Sequence, residues 1–174
     1  MEKTQKSSSI VKNGALGIIL VGESEDLFNQ EFIIVEDYND RNRGDGIKMF
    51  GLPGGGIEKG EKSYKGFLRE MFEEISLDFK LCTFKKFGCY KKLRPNGLTN
   101  DNYLFVIRLN YVPVLITNDP KEVSKVHILK LKDIIKLAEK GIFHEGSIRL
   151  IFHYLNGNKS GSLNEPVSFN SITF

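Results

Sequence analysis

The chain has 174 residues with 25 Lys and Arg against 22 Asp and Glu, a formal net charge of +3. That length fits one ordinary domain with a sizeable core, and so mild a charge does not demand a nucleic-acid partner. The 2 cysteines, Cys82 and Cys89, form no CxxC and exclude a disulfide framework or thiolate zinc site. No apolar run approaches the ~18 residues needed to span a bilayer, and MEKTQKSSS lacks the apolar stretch of a signal peptide. The expectation is a cytoplasmic protein with no membrane association and reduced thiols.

In chain order, residues 1–13 are polar and read as a loose N-terminal segment. GALGIILV (Gly14 to Val21) and FIIV (Phe32 to Val35) read as buried strands joined through the turn region GESEDLFNQ. NDRNRGDG, residues 39–46, has the composition of a surface loop, and its RGD triplet is read as chance. A helix is expected directly after the glycine-rich stretch at Gly54, Gly55 and Gly56. At about 100° per residue, Tyr64, Phe67, Leu68, Met71, Phe72 and Ile75 share one arc. That arc is expected to pack on the domain, leaving Glu70, Glu73 and Glu74 to face a cleft or solvent. Gly66, one turn before Glu70, reads either as a point where a loop or ligand approaches or simply as a weak helix residue.

Beyond the helix, Asp78 to Tyr90 alternates as a strand and KKLRPNGLTND as a turn region. NYLFVIRL (Asn102 to Leu109) and KVHILKL (Lys125 to Leu131) are further strands, and helices are expected from about Lys132 to Lys140 and from Glu145 to Leu155. A single domain over residues 14–157, followed by a C-terminal tail at 158–174, accounts for the pattern. No internal repeat is present. Strands around one early helix, with more helix at the end, indicate an α+β layered domain.

The chemistry concentrates at Glu70, Glu73 and Glu74. Like charges three and four residues apart on a helix repel by roughly 0.2 to 0.5 kcal/mol per pair, and late in a helix they also oppose the macrodipole. Breaking two local rules at one place points to function. Three carboxylates on one turn can hold hard divalent cations, and magnesium, which keeps waters and shares its oxygen ligands with substrate phosphates, suits such a cluster.

Gly55, five residues, Glu61, seven residues, then Arg69-Glu70-Met71-Phe72-Glu73-Glu74 resembles the Nudix box of the Nudix hydrolase superfamily. Six fixed identities at roughly 6 to 7% each coincide by chance on the order of once in 100,000 trials. The preceding Gly51-Leu52-Pro53-Gly54 resembles the usual approach to the box. Ser76 stands where the pattern expects glycine before Leu77, which bears on the helix C-terminal turn.

The resemblance implies a Nudix-like α/β/α sandwich with a mixed sheet between helices. It implies Glu70, Glu73 and Glu74 as catalytic metal ligands, Glu70 also as candidate base, and the Gly55 carbonyl as a further ligand. Arg69 and Glu61 are implied as an ion pair supporting the box. Family members often place another acidic residue before a late strand; Glu122 is the candidate, with an ordinary solvated charge as its alternative, and Asp119 is the weaker choice. The implied activity is a pyrophosphohydrolase, using Mg2+ with Mn2+ able to substitute, that cleaves the diphosphate linkage of a nucleoside diphosphate joined to a group X.

The partner is then a small nucleotide-type diphosphate. ADP-ribose, nucleoside triphosphates, dinucleoside polyphosphates and capped or triphosphorylated RNA ends all carry the linkage, although nothing in the sequence points to nucleic acid. The alternative is a nucleotide- or RNA-binding regulatory module on the same fold without turnover. A diphosphate-utilising isomerase is a third reading, and a homodimer is left open.

Other residues receive structural readings. His144 lacks a second histidine four residues on and is no zinc-protease motif; with His127 and His153 it is read as ordinary structure. Lys85, Lys86, Lys91, Lys92 and Arg94 read as solvated edge charges, with a phosphate or RNA contact as the alternative. Phe50, Tyr90 and Tyr103 read as core aromatics rather than base-stacking platforms.

Overall fold

The computed structural model describes residues 12–37, 48–77, 82–118 and 120–164. The loop read at 39–46 and Asp119 lie outside these residues.

The alternating apolar segments form β1 (Gly14–Val21), β2 (Glu31–Asp37), β5 (Phe84–Leu93), β6 (Thr99–Leu109) and β7 (Val123–Lys130). Short strands β3 (Met49–Gly51), β4 (Gly54–Gly56) and β8 (Ser160–Ser162) complete an 8-stranded sheet. Its main order is β3-β2-β1-β6-β5-β8, with β4 added on β1 and β7 on β2. The sheet is mixed. β1 runs parallel to β6, with Gly14 opposite Asn102 and Val21 opposite Leu109, whereas β2 and β4 pair antiparallel with β1.

Period-two alternation divides the core between the two faces. Ala15, Ile19, Ile33 and Val35 turn toward α1 (Ser63–Ile75) and pack around Phe67, Met71 and Ile75. Ile18, Leu20, Phe32 and Ile34 turn to the other face, where α2 (Leu131–Glu139) and α3 (Glu145–Leu155) bury Ile134, Ile148 and Ile151. One helix therefore covers one face and two cover the other, the α/β/α sandwich expected from the sequence.

Three elements were not legible as such. β3, β4 and β8 are three residues each and glycine-rich, too short to show alternation. The strand expected from Asp78 begins at Phe84 among the described residues. Nor is β5 an edge over its length: β6 flanks one side and β8 part of the other. Lys85, Lys86 and Lys91 are exposed, but Lys92 is half-buried.

The stripe that α1 buries differs from the expected apolar arc. Phe67, Met71 and Ile75 are within 1% of full burial, but Phe72 is 61% and Tyr64 41% exposed. Their places are taken by Gly66, Glu70 and Glu74. The helix is rolled about its axis because the carboxylates find donors there, Glu74 at the Gly54 amide of β4 beneath it and Glu70 at the guanidinium of Arg69 on the helix itself. An arc drawn from hydrophobicity alone omits those interactions. Gly66 is a point of close approach by a loop: a Cβ there would lie 3.0 Å from a carboxylate oxygen of Glu61.

α1 ends in a left-handed residue, Ser76, at φ 52° and ψ 33°. The Ser76 and Leu77 amides donate back to the Phe72 and Met71 carbonyls, closing a Schellman turn. The Ser76 hydroxyl is buried and has no hydrogen-bond partner among the described residues. On the opposite edge, Glu36 accepts hydrogen bonds from Lys48 Nζ at 2.6 Å and the Ser124 hydroxyl at 2.9 Å, and pairs with His127 Nε2 at 2.7 Å. Burial alone would raise the pKa of Glu36, but these donors and the Lys48 charge together hold it at about 2.

Two stability outcomes follow. Ser76→Gly relieves a left-handed conformation that costs a side-chain-bearing residue roughly 1 to 2 kcal/mol, offset in part by the entropy of an unfolded glycine. A gain of about 1 kcal/mol in urea unfolding is expected, and a loss would refute the strain. For Glu36, a folded pKa of about 2 against an ordinary 4.5 means stabilisation complete above the ordinary range and lost as pH falls through it toward 2. Glu36→Gln should therefore cost roughly 2 kcal/mol at neutral pH, and the gap to the wild type should narrow on acidification to pH 3. A gap independent of pH would contradict the assignment.

Candidate active site

Glycines build one wall of the site. β4 lies antiparallel to the start of β1, and the Gly17 amide donates to Pro53 at 2.9 Å. Gly54 has φ +136°, and a Cβ on it would fall 2.3 Å from the Ala15 carbonyl oxygen, so no other residue fits. A Cβ on Gly55 would lie 2.5 to 2.7 Å from the carboxylate of Glu70. The bare backbone of β4 thus makes a shelf on which the acidic turn of α1 rests.

Arg69 ties the shelf, the following loop and the helix together. Its guanidinium donates to the Gly56 carbonyl at 2.8 Å, to both oxygens of Glu61 at 3.2 and 3.3 Å, to Glu70 at 2.8 Å and to Glu73 at 3.1 Å. Glu61 also accepts the Glu58 amide at 2.9 Å. The hydrogen bond from Arg69 and that from the Glu58 amide lower its pKa. The ion pair expected between Arg69 and Glu61 is present.

The three helical carboxylates occupy unlike surroundings. Glu74, 7% exposed, accepts the Gly54 amide at 2.6 Å. Burial pushes its pKa well above the usual carboxylate range, and the charges of Glu70, Asp37 and Glu122 push the same way. Glu70, equally buried, is also raised, by burial first and by Glu73 and Glu122, although Arg69 pulls it down. The Glu73 side chain is 44% exposed and rests on Arg69.

Beside this turn opens a cavity of about 1000 Å3 whose lining includes Gly54, Glu74 and Glu122. The structure therefore brings Glu122 to the same opening as Glu74, while Glu70 lies beneath Arg69. Among the described residues, no group of three or more His, Cys, Asp or Glu side chains is already arranged to enclose a metal ion. The reason is visible in the bonding: Arg69 takes up Glu70 and Glu73, and the Gly54 amide takes up Glu74.

The donor set nevertheless fits a hard cation. The atoms it offers are all oxygens. Two of them are buried carboxylates one turn apart, and Glu74 has a single neutral donor to offset three neighbouring negative charges. A divalent ion would relieve that repulsion.

Sequence reasoning missed several residues lining this cavity. Asp37 and His144 line it as a pair, His144 Nε2 lying 2.7 Å from Asp37 Oδ2. Lys92 and Arg149 line another part. Asp37 closes an apolar strand, and the rest are scattered along the chain, so no spacing could have grouped them. His127 and His153 stay out of the cavity lining: the first pairs with Glu36 and the second stacks on Tyr90 at 4.7 Å. No helix is long and apolar enough to cross a membrane among the described residues.

A model of the NUDIX domain matches residues 12–151. No curated protein matches the chain at a significant level. Among solved structures, the NUDIX domain of Shewanella oneidensis NrtR complexed with ADP ribose is similar with TM-score 0.62 and 15% identity, over 87% of this chain and 91% of that one. The C. elegans Ap4A hydrolase binary complex is similar with TM-score 0.57 and 18% identity, over 83% and 99%. A NUDIX hydrolase from Nitrosomonas europaea is similar with TM-score 0.57 and 17% identity, over 86% and 93%. At such identities the likeness is one of fold. The family match spans most of the chain and covers the whole acidic turn and its glycine shelf: the protein belongs to the Nudix hydrolase superfamily, enzymes acting on phosphoanhydride bonds.

Proposed function

We propose that the chain is a divalent-metal-dependent pyrophosphohydrolase that cleaves the diphosphate linkage of a nucleoside diphosphate joined to another group X. The observation that carries this reading is the pair of buried carboxylates, Glu70 and Glu74, held one turn apart on bare glycine backbone, with Glu74 lining a cavity of about 1000 Å3. Glu70, Glu73 and Glu74, with the Gly55 carbonyl and Glu122, are the residues that would hold the ion. Magnesium, with manganese able to substitute, neutralises phosphate charge and lowers the pKa of a bound water.

The chain's own residues divide the remaining work. Glu70 is the candidate to accept the proton of the attacking water; burial raises its proton affinity, Glu73 and Glu122 add to this, and Arg69 opposes it. Arg69 and Glu61 are positioning residues that fix the loop against the helix. Glu74 is anchored by the Gly54 amide. Attack of water at one phosphorus yields a nucleoside monophosphate and phosphorylated X, or diphosphate when the substrate is a triphosphate.

ADP ribose, bound by the NrtR domain, and Ap4A, the substrate of the C. elegans hydrolase, join nucleoside triphosphates as the first compounds to test.

A panel of these compounds with Mg2+ or Mn2+, products followed by chromatography, should show turnover by the wild type and a fall of about a hundredfold or more for Glu73→Gln. Equal turnover by the variant would place the activity elsewhere. No turnover of any compound by the wild type would favour a binding module. Gly55→Ala puts a methyl group within 2.5 Å of the Glu70 carboxylate, so it should lose turnover on the same scale while melting as a folded protein. Full activity in that variant would remove Glu70 from the proposed ligand set.

A further inference from the structure

Asn102 is polar where the fold calls for an apolar residue. Alternation along β6 places it on the same face as Leu104 and Val106, the face that α2 and α3 cover. It is 7% exposed, yet its amide is poorly served. Among the described residues the side chain bonds only to Asn100: Nδ2 donates to the Asn100 carbonyl at 3.4 Å, and Oδ1 accepts from Asn100 Nδ2 at 3.5 Å. Both contacts are longer than the roughly 2.7 to 3.2 Å of an ordinary N–H···O bond. Asn100 itself is better held, accepting from Arg94 Nε at 3.0 Å and donating to the Lys12 carbonyl at 3.2 Å.

A primary amide carries two N–H donors and an acceptor with two lone pairs. Asn102 therefore keeps a donor and an acceptor side by side, out of water and without adequate partners, which is unfavourable unless a partner arrives. The surrounding chain makes room for the group. Parallel register sets Gly14 of β1 opposite Asn102, and a Cβ on Gly14 would lie 2.8 Å from Oδ1.

Asn102 lines the cavity together with Leu16, Leu150 and Leu163. Lys92, opposite Asn100 on β5, is the charged lining residue nearest to it in register. Apolar walls with one paired donor and acceptor suit a flat heterocycle. A phosphate would present only acceptors to the amide oxygen, whereas a nucleobase edge offers a donor beside an acceptor and satisfies both halves of the amide.

The position also suits the acidic turn. Gly54, whose amide holds Glu74, pairs with Leu16 on the other side of β1. Two strand spacings across the sheet and two residues along it separate Asn102 from Gly54, roughly 12 Å. A nucleoside spans a comparable length from its base to its phosphate.

We propose that Asn102 is a specificity-determining residue that reads the nucleobase, its amide taking a donor and acceptor edge of the base while the phosphates run toward Glu74. The cleft then selects diphosphates that carry a base over those that carry none. This inference rests on the hydrolase reading above for the nucleotide, but the contact can be measured without turnover.

Calorimetric titration of the full chain in EDTA with adenosine, guanosine and uridine monophosphates, and with ribose 5-phosphate as the base-free control, is the direct test. Asn102→Leu, of similar size, should weaken the best-bound nucleotide at least tenfold and leave ribose 5-phosphate within twofold. Asn102→Asp keeps the shape but replaces the donor by an acceptor. Its preference should move at least tenfold toward guanine, whose edge presents two donors, relative to adenine. A merely structural amide would not move that preference. No nucleotide binding by the wild type, equal loss of nucleotide and ribose 5-phosphate in Asn102→Leu, or an unmoved preference in Asn102→Asp overturns the proposal.

In steady-state assays, Asn102→Leu should raise KM at least tenfold with kcat within threefold. If nucleotides bind through Asn102 and no diphosphate is turned over, the base contact stands and the hydrolase reading falls. If a diphosphate is turned over with a KM indifferent to Asn102→Leu, the hydrolase reading stands and the base contact falls.

Discussion

The constraint on which this structure turns is the need to bury Glu70 and Glu74 together on one helical turn. Desolvation and mutual repulsion both oppose it, and both raise the proton affinity of the two groups. The fold answers with a wall that has no side chains, a single backbone amide aimed at Glu74, and a guanidinium shared by Glu61, Glu70 and Glu73. Each answer constrains another part of the chain. β4 has to be glycine at Gly54 and Gly55 and has to lie on β1, α1 has to roll its acidic side inward, and Phe72 is left largely exposed as a result.

Arg69 gives the arrangement its present balance. A cation between carboxylates on one helix face is stabilising, and this one also grips the Gly56 carbonyl beyond the shelf. Under the proposed function, a divalent ion would compete with Arg69 for Glu70 and Glu73. The guanidinium would then retain Glu61 and Gly56 and go on holding the loop in place. The same side chain therefore serves the fold whether or not the carboxylates are engaged elsewhere.

How much of this could be read from the sequence depended on whether a feature was local. The helix from Glu145 to Leu155 and the first strand have their expected bounds because apolar periodicity and termination signals lie within the segments themselves. The acidic turn declared itself by violating local rules, and Ser76 marked the left-handed helix end that its position demanded. The rolling of α1 was not legible, because it depends on β4 amides and carbonyls that carry no side-chain signature. Nor were Asp37, Lys92, His144 and Arg149 as neighbours, since only sheet register and the packing of α3 bring them to one cavity. Lys92 shows the limit most plainly. Among four similar lysines on β5 it alone lines the cavity, and nothing in KKLRPNG separates it from Lys91.

The parallel pairing of β1 with β6 sets the order in which the molecule can be built. Gly14 finds its partner at Asn102 and Val21 at Leu109, so the centre of the sheet closes only after the intervening chain has been made and gathered. Loop closure over such a span is an entropic hurdle, and native contacts of this kind slow folding. A nascent chain that stops after α1 already contains the entire acidic signature but lacks the strand that steadies β1 on its other side. The sequence hallmark is thus synthesised early, and the working cleft is among the last features to exist.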